Sequence, residues 1–335
     1  MIKKIILVIM TSDFKISNSV KENLEFLNYE VVLVVNDDFK YKNVKDKLVN
    51  FYKKVFKKDN SYKRQLTRAY QENNNLIFLE QQKTIFDFTL VIRPDKFSLK
   101  VLEAAKIKSK KMIAYQWDGM SRFPEVDETI GFFDEFYVFD KNDIESNSKK
   151  LSYTTNFYFD CYNNLFKNKI KYDVYFVGSY DSRTQDLIRL CSDLENIGMK
   201  INVLLFTSPK KHLKKYKFIT YLNKSLTYYD NLEILSQSKI IIDLAHKDLH
   251  TGLSFRAFES VGYDKKMITT NKTIKTMDFY NPQNIFVFDD DRTDLIEFVK
   301  SDYISIPETI KNKYSFSNWF NYMFKIQPFE NISKV

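Results

Sequence analysis

The stretch from residue 250 to residue 262 combines residue types that can bind a diphosphate. A loop containing Gly252 leads into a helix pattern of about eight residues that carries Arg256 and Glu259. The N–H groups at a helix N-terminus attract phosphate, and an arginine adds a fixed positive fork. Glu259 follows Arg256 by three positions on nearly the same helical face, where a carboxylate can accept bonds from ribose hydroxyls. The spacing suits a nucleoside diphosphate, although the two residues could also form an ordinary surface pair.

The same stretch resembles the donor-site helix of GT-B glycosyltransferases, especially the bacterial lipopolysaccharide and CgeB-like group. There a Ser-x-Arg-x-Phe-Glu pattern precedes a glycine turn and a Lys-x-Ile-Thr-Thr-Asn strand. The matching residues, in order, are Ser254, Arg256, Phe258, Glu259, Gly262, Lys266, Ile268, Thr269, Thr270 and Asn271. The resemblance implies that Gly252, Ser254, Arg256 and Glu259 bind a sugar-nucleotide donor and that Gly262 forms a tight turn.

Residues 172 to 183 resemble the strand and phosphate-facing loop that open a GT-B donor domain. Gly178 and Ser179 would let the backbone approach the donor, and Arg183 would lie in the first turn of the next helix. Tyr228 is a candidate to stack on the base, with a core position as the alternative. These residues complete the predicted donor site.

One departure from the family pattern concerns the mechanism. Many retaining GT-B enzymes carry a glutamate eight positions before the helix glutamate, where this chain has Thr251. A retaining mechanism of that kind is therefore disfavoured. The neighbouring His250 is a candidate contact for the transferred sugar or the phosphate, and His246 is close enough in sequence to be considered.

The first half of the chain supplies candidates for binding and activating an acceptor. Trp117 and Asp118 follow a predicted strand at its carboxyl end, where open α/β sheets bind ligands. Trp117 offers an apolar face to a sugar ring, Arg122 is a further acceptor-binding candidate, and Asp118 could take the proton of an acceptor hydroxyl. Asp13, after the first strand, is a rival base. Asp140 is predicted to be a helix N-cap rather than a catalyst.

Alternating apolar runs and amphipathic stretches predict βα units that position these residues. The predicted strands are Lys4 to Ile9, Glu30 to Val35, Phe88 to Ile92, Lys111 to Tyr115, Glu135 to Phe139, Tyr172 to Val177, Ile201 to Phe206, Lys239 to Asp243, Lys266 to Thr270 and Asn284 to Phe288. The fold class is α/β, with two Rossmann-like domains facing across a cleft. We predict an acceptor domain at 1–168, a nucleotide-sugar domain at 169–314 and, at 315–335, a helix that crosses back to the first domain.

Composition limits the functional classes. Hydrophobic residues make up 44% of the chain, which is globular, and no apolar run approaches the roughly 20 residues of a membrane span. Cys161 and Cys191 have no metal-type spacing, which indicates a reducing, cytoplasmic location. The net charge of +9 allows peripheral contact with the inner membrane face, although a low-GC codon bias could also explain it. No nucleic-acid partner is expected, because no recognised module accompanies the charge.

Other enzyme classes lack their motifs. Neither leading strand is followed by Gly-x-Gly-x-x-Gly, no P-loop is present, and Asp289 to Asp291 is predicted to be a loop rather than a metal site. We therefore predict a metal-independent glycosyltransferase without a cofactor. A nucleoside diphosphate sugar, with UDP as a candidate carrier, would donate to a growing surface glycan or lipid-linked glycan of lipopolysaccharide or capsule type. A sugar-nucleotide epimerase and a non-catalytic sugar-nucleotide-binding scaffold are the alternatives.

Overall fold

Two parallel β-sheets of six strands each organise the protein. The computed structural model describes residues 3–36, 39–41, 43–146, 150–245, 251–288 and 294–333. The first sheet has the strand order β2-β1-β3-β4-β5-β6, and the second has the order β12-β11-β10-β7-β8-β9. Helices connect the strands. The α/β class with two Rossmann-like sheets, predicted from the alternating pattern, is confirmed.

The first sheet ends before residue 154 and the second begins at residue 172. The strands of the first sheet are β1 (Ile5–Met10), β2 (Glu30–Val35), β3 (Phe88–Ile92), β4 (Met112–Gln116), β5 (Glu135–Val138) and β6 (Ser152–Tyr153). The second sheet contains β7 (Tyr172–Ser179), β8 (Ile201–Phe206), β9 (Ile219–Leu222), β10 (Ser238–Asp243), β11 (Lys266–Thr269) and β12 (Ile285–Val287). We call each sheet with its helices the first and the second domain; the predicted boundary at residue 168 stays a prediction.

All ten predicted strands are present, with ends that move by two residues or fewer. The sequence analysis missed two strands, β6 and β9, which both lie at sheet edges. Both are short: β6 has two residues and β9 has four. An edge strand is paired on one side only and need not be a long apolar run, so its pattern is weak.

The helices connect the strands and cover the sheets. They are α1 (Ile16–Phe26), α2 (Val44–Phe56), α3 (Ser61–Gln81), α4 (Leu99–Ile107), α5 (Lys141–Ser146), α6 (Thr184–Asn196), α7 (Tyr228–Ser236), α8 (Phe255–Gly262), α9 (Leu295–Lys300), α10 (Glu308–Lys313) and α11 (Phe316–Phe324). Among the described residues, no helix is both long and apolar enough to cross a bilayer.

The C-terminal helix α11 crosses back to the first domain, as predicted. Trp319 is fully buried, and its ring lies 5.0 Å from that of Tyr115 on β4. Phe320 lies 5.3 Å from Tyr29, which precedes β2. The Ser315 hydroxyl caps the helix by accepting a hydrogen bond from Asn318 N. Aromatic burial of this size is a large apolar contribution to stability, so α11 fastens the end of the chain to the first sheet.

A buried carboxylate joins the two domains directly. Asp140 lies two residues after β5 and accepts hydrogen bonds from Thr251 N and Thr251 Oγ1, each at 2.7 Å, and from Gly252 N at 3.3 Å. It also accepts from Asn142 N at 3.1 Å, the bond expected of the predicted N-cap. Asp140 therefore caps a helix of the first domain and also holds the segment that leads into α8 of the second.

Two glycines are required by close packing. A Cβ at Gly252 would lie 2.5 Å from the ring of Phe139, and one at Gly262 would lie 2.2 Å from the ring of Tyr158. Gly262 is the last residue of α8, and the turn that follows uses the left-handed Asp264, with a φ of 53°. The prediction that Gly262 itself forms the turn is therefore wrong, because this glycine makes room for an aromatic ring.

Replacing Gly262 by alanine should destabilise the protein, because the new methyl group would overlap Tyr158. We expect the free energy of unfolding to fall by about 1–3 kcal/mol. Gly131→Ala is the matched control, because no atom lies within 4 Å of its Cβ position, and its effect should stay within about 0.5 kcal/mol. Urea denaturation followed by fluorescence measures both. Equal stability of the two variants would show that the ring of Tyr158 moves aside freely.

Candidate functional site

A cleft of about 610 Å³ lies between the two domains and is lined by both. In the first sheet, the strand order reverses between β1 and β3, and in the second sheet it reverses between β7 and β10. Open α/β sheets bind ligands beyond the carboxyl ends of their strands at such a switch point. The predicted residues that line the cleft are Asp13, Trp117 and Asp118 from the first domain and Gly178, Ser179, Tyr228, Ser254, Arg256 and Glu259 from the second.

Arg256, in the first turn of α8, spans the switch point of the second sheet. Its Nη2 donates to the carbonyl of Val177 on β7 at 2.7 Å, and its Nη1 donates to Asp243 Oδ1 on β10 at 3.3 Å. The guanidinium also lies 5.7 Å from the ring centre of Phe176. These contacts orient a partly exposed positive charge at the edge where the strands β7 and β10 end.

Glu259 is buried one helical turn further along α8. Tyr228 Oη donates to its Oε1 at 2.5 Å. Within the described residues, Glu259 Oε2 has no hydrogen-bond partner. Burial raises the pKa of this carboxyl group, and the bond from Tyr228 partly opposes the rise. Because Glu259 is buried, it and Arg256 do not form the ordinary surface pair that the sequence left open.

Tyr228, predicted as a residue that stacks on the nucleotide base, is packed among other aromatic side chains. Its hydroxyl is engaged by Glu259, and its ring lies 5.2 Å from Phe159 and 6.4 Å from Phe255. The side chain is only 9% exposed. The alternative of a core aromatic therefore describes it better, and its hydroxyl holds the carboxylate of Glu259 in place.

Ser254 occupies the N-cap position of α8 with an extended backbone, but its side chain makes no capping bond. Its Oγ is buried and has no hydrogen-bond partner among the residues that the structure describes. The cleft thus has two buried polar atoms without partners, Ser254 Oγ and Glu259 Oε2, on either side of Arg256 in sequence. Such atoms are costly in a folded protein and commonly mark a place where a ligand or water binds.

Two predicted donor residues do not line the cleft. Arg183 folds onto Asp181, with Nη2 to Oδ2 at 2.6 Å, and its Nη1 donates to the carbonyl of Leu244 at 2.5 Å. It therefore ties the loop after β7 to the end of β10. Gly252 packs against Phe139 between the domains, as described above. His250 and His246 lie outside the described residues, as does the segment from Asp289 to Asp291.

Arg93 is a cleft residue that the sequence analysis missed. It follows β3 with a left-handed backbone, at a φ of 60°. Its Nε and Nη2 donate to both oxygens of Asp95, at 2.7 and 2.8 Å, and its Nη1 donates to Asp118 Oδ2 at 2.6 Å. A non-glycine residue in this region is strained, and such strain concentrates at functional sites. Its position at the carboxyl end of a strand beside the switch point could have identified Arg93 as a cleft residue from the sequence.

The two candidate bases differ in their surroundings. Both oxygens of Asp118 are engaged, one by Arg93 and the other by Arg122 Nη1 at 3.3 Å. Arg122 does not line the cleft itself but pairs with Asp118 at its edge. Among the described residues, Asp13 accepts a hydrogen bond from Thr11 Oγ1 at 2.8 Å. Asp118 therefore has its charge balanced by two guanidinium groups, whereas the carboxylate of Asp13 is more open.

Trp117 lies across the cleft from the start of α8. Its ring lies 5.8 Å from that of Phe255 in an edge-to-face arrangement. This contact places an apolar surface of the first domain beside the helix that carries Arg256 and Glu259. The predicted acceptor and donor residues therefore face the same space.

Comparisons with known proteins agree with this architecture. No family model matches the sequence, and no curated protein matches it. A solved UDP-forming trehalose-phosphate synthase from Burkholderia xenovorans is similar over 100% of both chains, with a TM-score of 0.55 and 11% identity. A glycotransferase of kitacinnamycin covers 90% of this chain and 92% of its own, with a TM-score of 0.46 and 9% identity.

A UDP-GlcNAc 2-epimerase from Neisseria meningitidis, solved with UDP-GlcNAc, covers 98% of this chain and 95% of its own. Its TM-score is 0.48 and its identity is 9%. At 11% identity, the match to the trehalose-phosphate synthase shows a shared fold and not a shared activity. The protein has the two-domain GT-B fold.

Proposed function

We propose that the protein is a glycosyltransferase that moves a sugar from a nucleoside diphosphate to an acceptor hydroxyl. The observation that carries the proposal is the pair of buried, unpartnered atoms in the cleft, Glu259 Oε2 and Ser254 Oγ, next to the charged fork of Arg256. An unpaired buried polar atom costs about 1–3 kcal/mol, which a ligand that bonds to it would recover. A nucleotide supplies both hydroxyls and phosphate oxygens.

The donor would lie along α8. Its diphosphate would approach the helix N-terminus at Ser254 and the guanidinium of Arg256, where N–H groups and positive charge stabilise the leaving group. The free oxygen of Glu259 would accept a bond from a ribose hydroxyl. The backbone of Gly178 and Ser179, which lines the cleft next to the Val177 carbonyl held by Arg256, would border the same ligand.

The acceptor would bind against the first domain, with a sugar ring on Trp117. Its hydroxyl oxygen forms a bond to the anomeric carbon while the bond from that carbon to the diphosphate breaks and the nucleoside diphosphate leaves. A carboxylate takes the hydroxyl proton. We assign this step to Asp13, because both oxygens of Asp118 are held by arginines. Asp118 would then position Arg93 at the cleft.

More specifically, we propose a metal-independent enzyme of surface-glycan synthesis. Its acceptor would be a growing or lipid-linked glycan of lipopolysaccharide or capsule type. Its support is the resemblance of the α8 segment to the lipopolysaccharide and CgeB-like group, together with the basic character of the chain. A lipid-linked acceptor would require peripheral contact with the inner membrane face. UDP is the first nucleotide to test.

Nucleotide binding should depend on Arg256. We expect UDP, GDP, CDP, dTDP or ADP to stabilise the wild type by about 2.7 kcal/mol when its concentration is 100 times the Kd. Arg256→Ala should abolish this shift because it removes the phosphate contact. Thermal denaturation measures the shift, and Arg64→Ala is the control, since Arg64 is exposed on α3 and away from the cleft. If no nucleotide stabilises the wild type, the donor site is wrongly assigned.

Glu259→Gln should affect the stability of the fold and the affinity for a nucleotide differently. Burial raises the pKa of Glu259 above its ordinary value of 4.5, so its ionised form is disfavoured in the folded state. The stability that the neutral Glu259 side chain contributes is fully present below pH 4.5. It is lost as the pH rises through the raised pKa of the folded state. The wild type should therefore lose stability relative to Glu259→Gln as the pH rises above 4.5. Urea denaturation at each pH measures this difference.

The same variant should weaken binding of the nucleotide, although it is as stable as the wild type or more so. Tyr228→Phe is the companion variant, because it removes the hydrogen bond to Glu259 Oε1 and leaves the carboxyl group in place. Isothermal titration gives both affinities. Unchanged affinity in Glu259→Gln would remove the ribose contact from the proposal.

Asp13→Asn should lower kcat by about 10²–10⁴, the usual contribution of a general base, with little change in nucleotide affinity. Asp118→Asn should mainly raise the KM for the acceptor, because it disturbs Arg93 rather than removing the base. Steady-state kinetics with a sugar-nucleotide donor and a glycan acceptor distinguish the two. The reverse pattern would assign the base to Asp118.

A further inference from the structure

Helix α2 presents an apolar face to solvent. Val44, Leu48, Phe51, Val55 and Phe56 are each between 52% and 72% exposed. None of the residues of α2 is buried. Single exposed apolar side chains are normal on a protein surface, but a continuous row on one helix indicates an interaction site.

The opposite face of α2 makes the contacts with the protein. Tyr62 Oη on α3 donates to Asp46 Oδ1 at 2.9 Å, and the ammonium group of Lys53 lies 4.6 Å from the centre of the Tyr62 ring. Asp46 and Lys53 are only half-exposed. A surface helix ordinarily packs its apolar face inward. In α2 the polar face is packed on α3 and the apolar face points outward.

Lysines lie beside and within the apolar face of α2. At about 100° per residue, Lys47 and Lys54 lie beside one edge of the apolar face, whereas Lys45 lies within it, between the exposed side chains of Tyr52 and Phe56. Residues 43 to 64 contain eight basic and two acidic residues. An apolar stripe flanked by lysines is the pattern of a helix that lies in the interface of a bilayer, where the lysine stems extend along the apolar region and the ammonium groups reach the lipid phosphates.

The helix leaves the first sheet at the edge that faces the cleft. β2 pairs in parallel with β1 up to Met10 and Val35, so both strands end at the same edge. The chain after β1 supplies Asp13 to the cleft, and the chain after β2 continues to α2. A surface bound through α2 would therefore lie beyond the same edge of the first sheet at which Asp13 lines the cleft.

We propose that α2 docks the protein on an anionic bilayer, with its apolar face inserted at the level of the lipid headgroups. This proposal deepens the proposed function by assigning the membrane contact to one helix, and it rests on that function only for the identity of the acceptor. Charge favours a bilayer over a second copy of the chain, because two such faces would bring like charges together. The apolar row favours a bilayer over a nucleic acid, which needs positive charge alone.

Flotation of the purified full chain with vesicles tests the proposal. Vesicles of phosphatidylcholine alone are compared with vesicles that contain about 30% phosphatidylglycerol, as the anionic surface that attracts basic segments. The wild type should bind the anionic vesicles at least about tenfold more tightly, and added salt should weaken the binding. The double variant Leu48→Glu, Phe51→Glu should lose about tenfold or more of this affinity, since charge cannot enter the apolar layer.

The matched control is the double variant Ile107→Glu, Ile296→Glu, which changes two exposed isoleucines outside α2 by the same charge. It should bind vesicles nearly as the wild type does. Both double variants alter exposed positions, and circular dichroism and the nucleotide-induced thermal shift verify that each is folded. A wild type that binds vesicles but no nucleotide would refute the proposed function and leave the docking surface intact.

Three results would overturn the docking surface. The first is that the wild type does not bind anionic vesicles although nucleotides still stabilise it. The second is a loss of binding that is equal in both double variants, which would reflect net charge alone. The third is a concentration-dependent dimer, seen by light scattering, that disappears in Leu48→Glu, Phe51→Glu, because a second copy would then be the occupant of this face.

Discussion

The carboxylate of Asp140 fixes how the two domains meet. It accepts three hydrogen bonds from Thr251 and Gly252, and the helix α8 begins only three residues later. Hydrogen bonds to a charged group contribute about 1.5–3 kcal/mol each, more than neutral ones. Because α8 carries Arg256 and Glu259, this one buried acceptor sets where the second domain presents its charged groups to the first.

Aromatic packing supports the same arrangement behind the cleft. Phe157, in the segment between the sheets, contacts Phe255 at the start of α8 and Trp319 on α11, with ring centres 5.1 and 4.4 Å apart. Trp117 adds an edge contact to Phe255 from the cleft side. Helix α8 is therefore held by Trp117 of the first domain and by Phe157, which in turn packs on the C-terminal helix. A side chain on α8 is positioned by contacts outside its own sheet.

The cleft and the outward face of α2 carry unpaired groups of opposite character. In the cleft, two polar atoms are buried without partners beside an oriented guanidinium. On α2, apolar side chains are exposed beside lysines. Each departs from the rule that polar groups are bonded and apolar groups are covered. Together they support the two proposals made above, a polar ligand in the cleft and an anionic bilayer at α2.

The sequence by itself determined ten of the twelve strands, the α/β class and the segment that carries Ser254, Arg256 and Glu259, because apolar periodicity and helix position are local properties. Tertiary structure decided the rest. Arg183 turns away from the cleft and donates to the carbonyl of Leu244, a residue distant in sequence. Arg93 enters the cleft because its backbone adopts a strained, left-handed conformation.

The outward apolar face of α2 was readable as a periodic pattern, but which face α3 covers depends on contacts such as that of Tyr62 with Asp46. Periodicity identifies two faces of a helix, and only packing chooses between them.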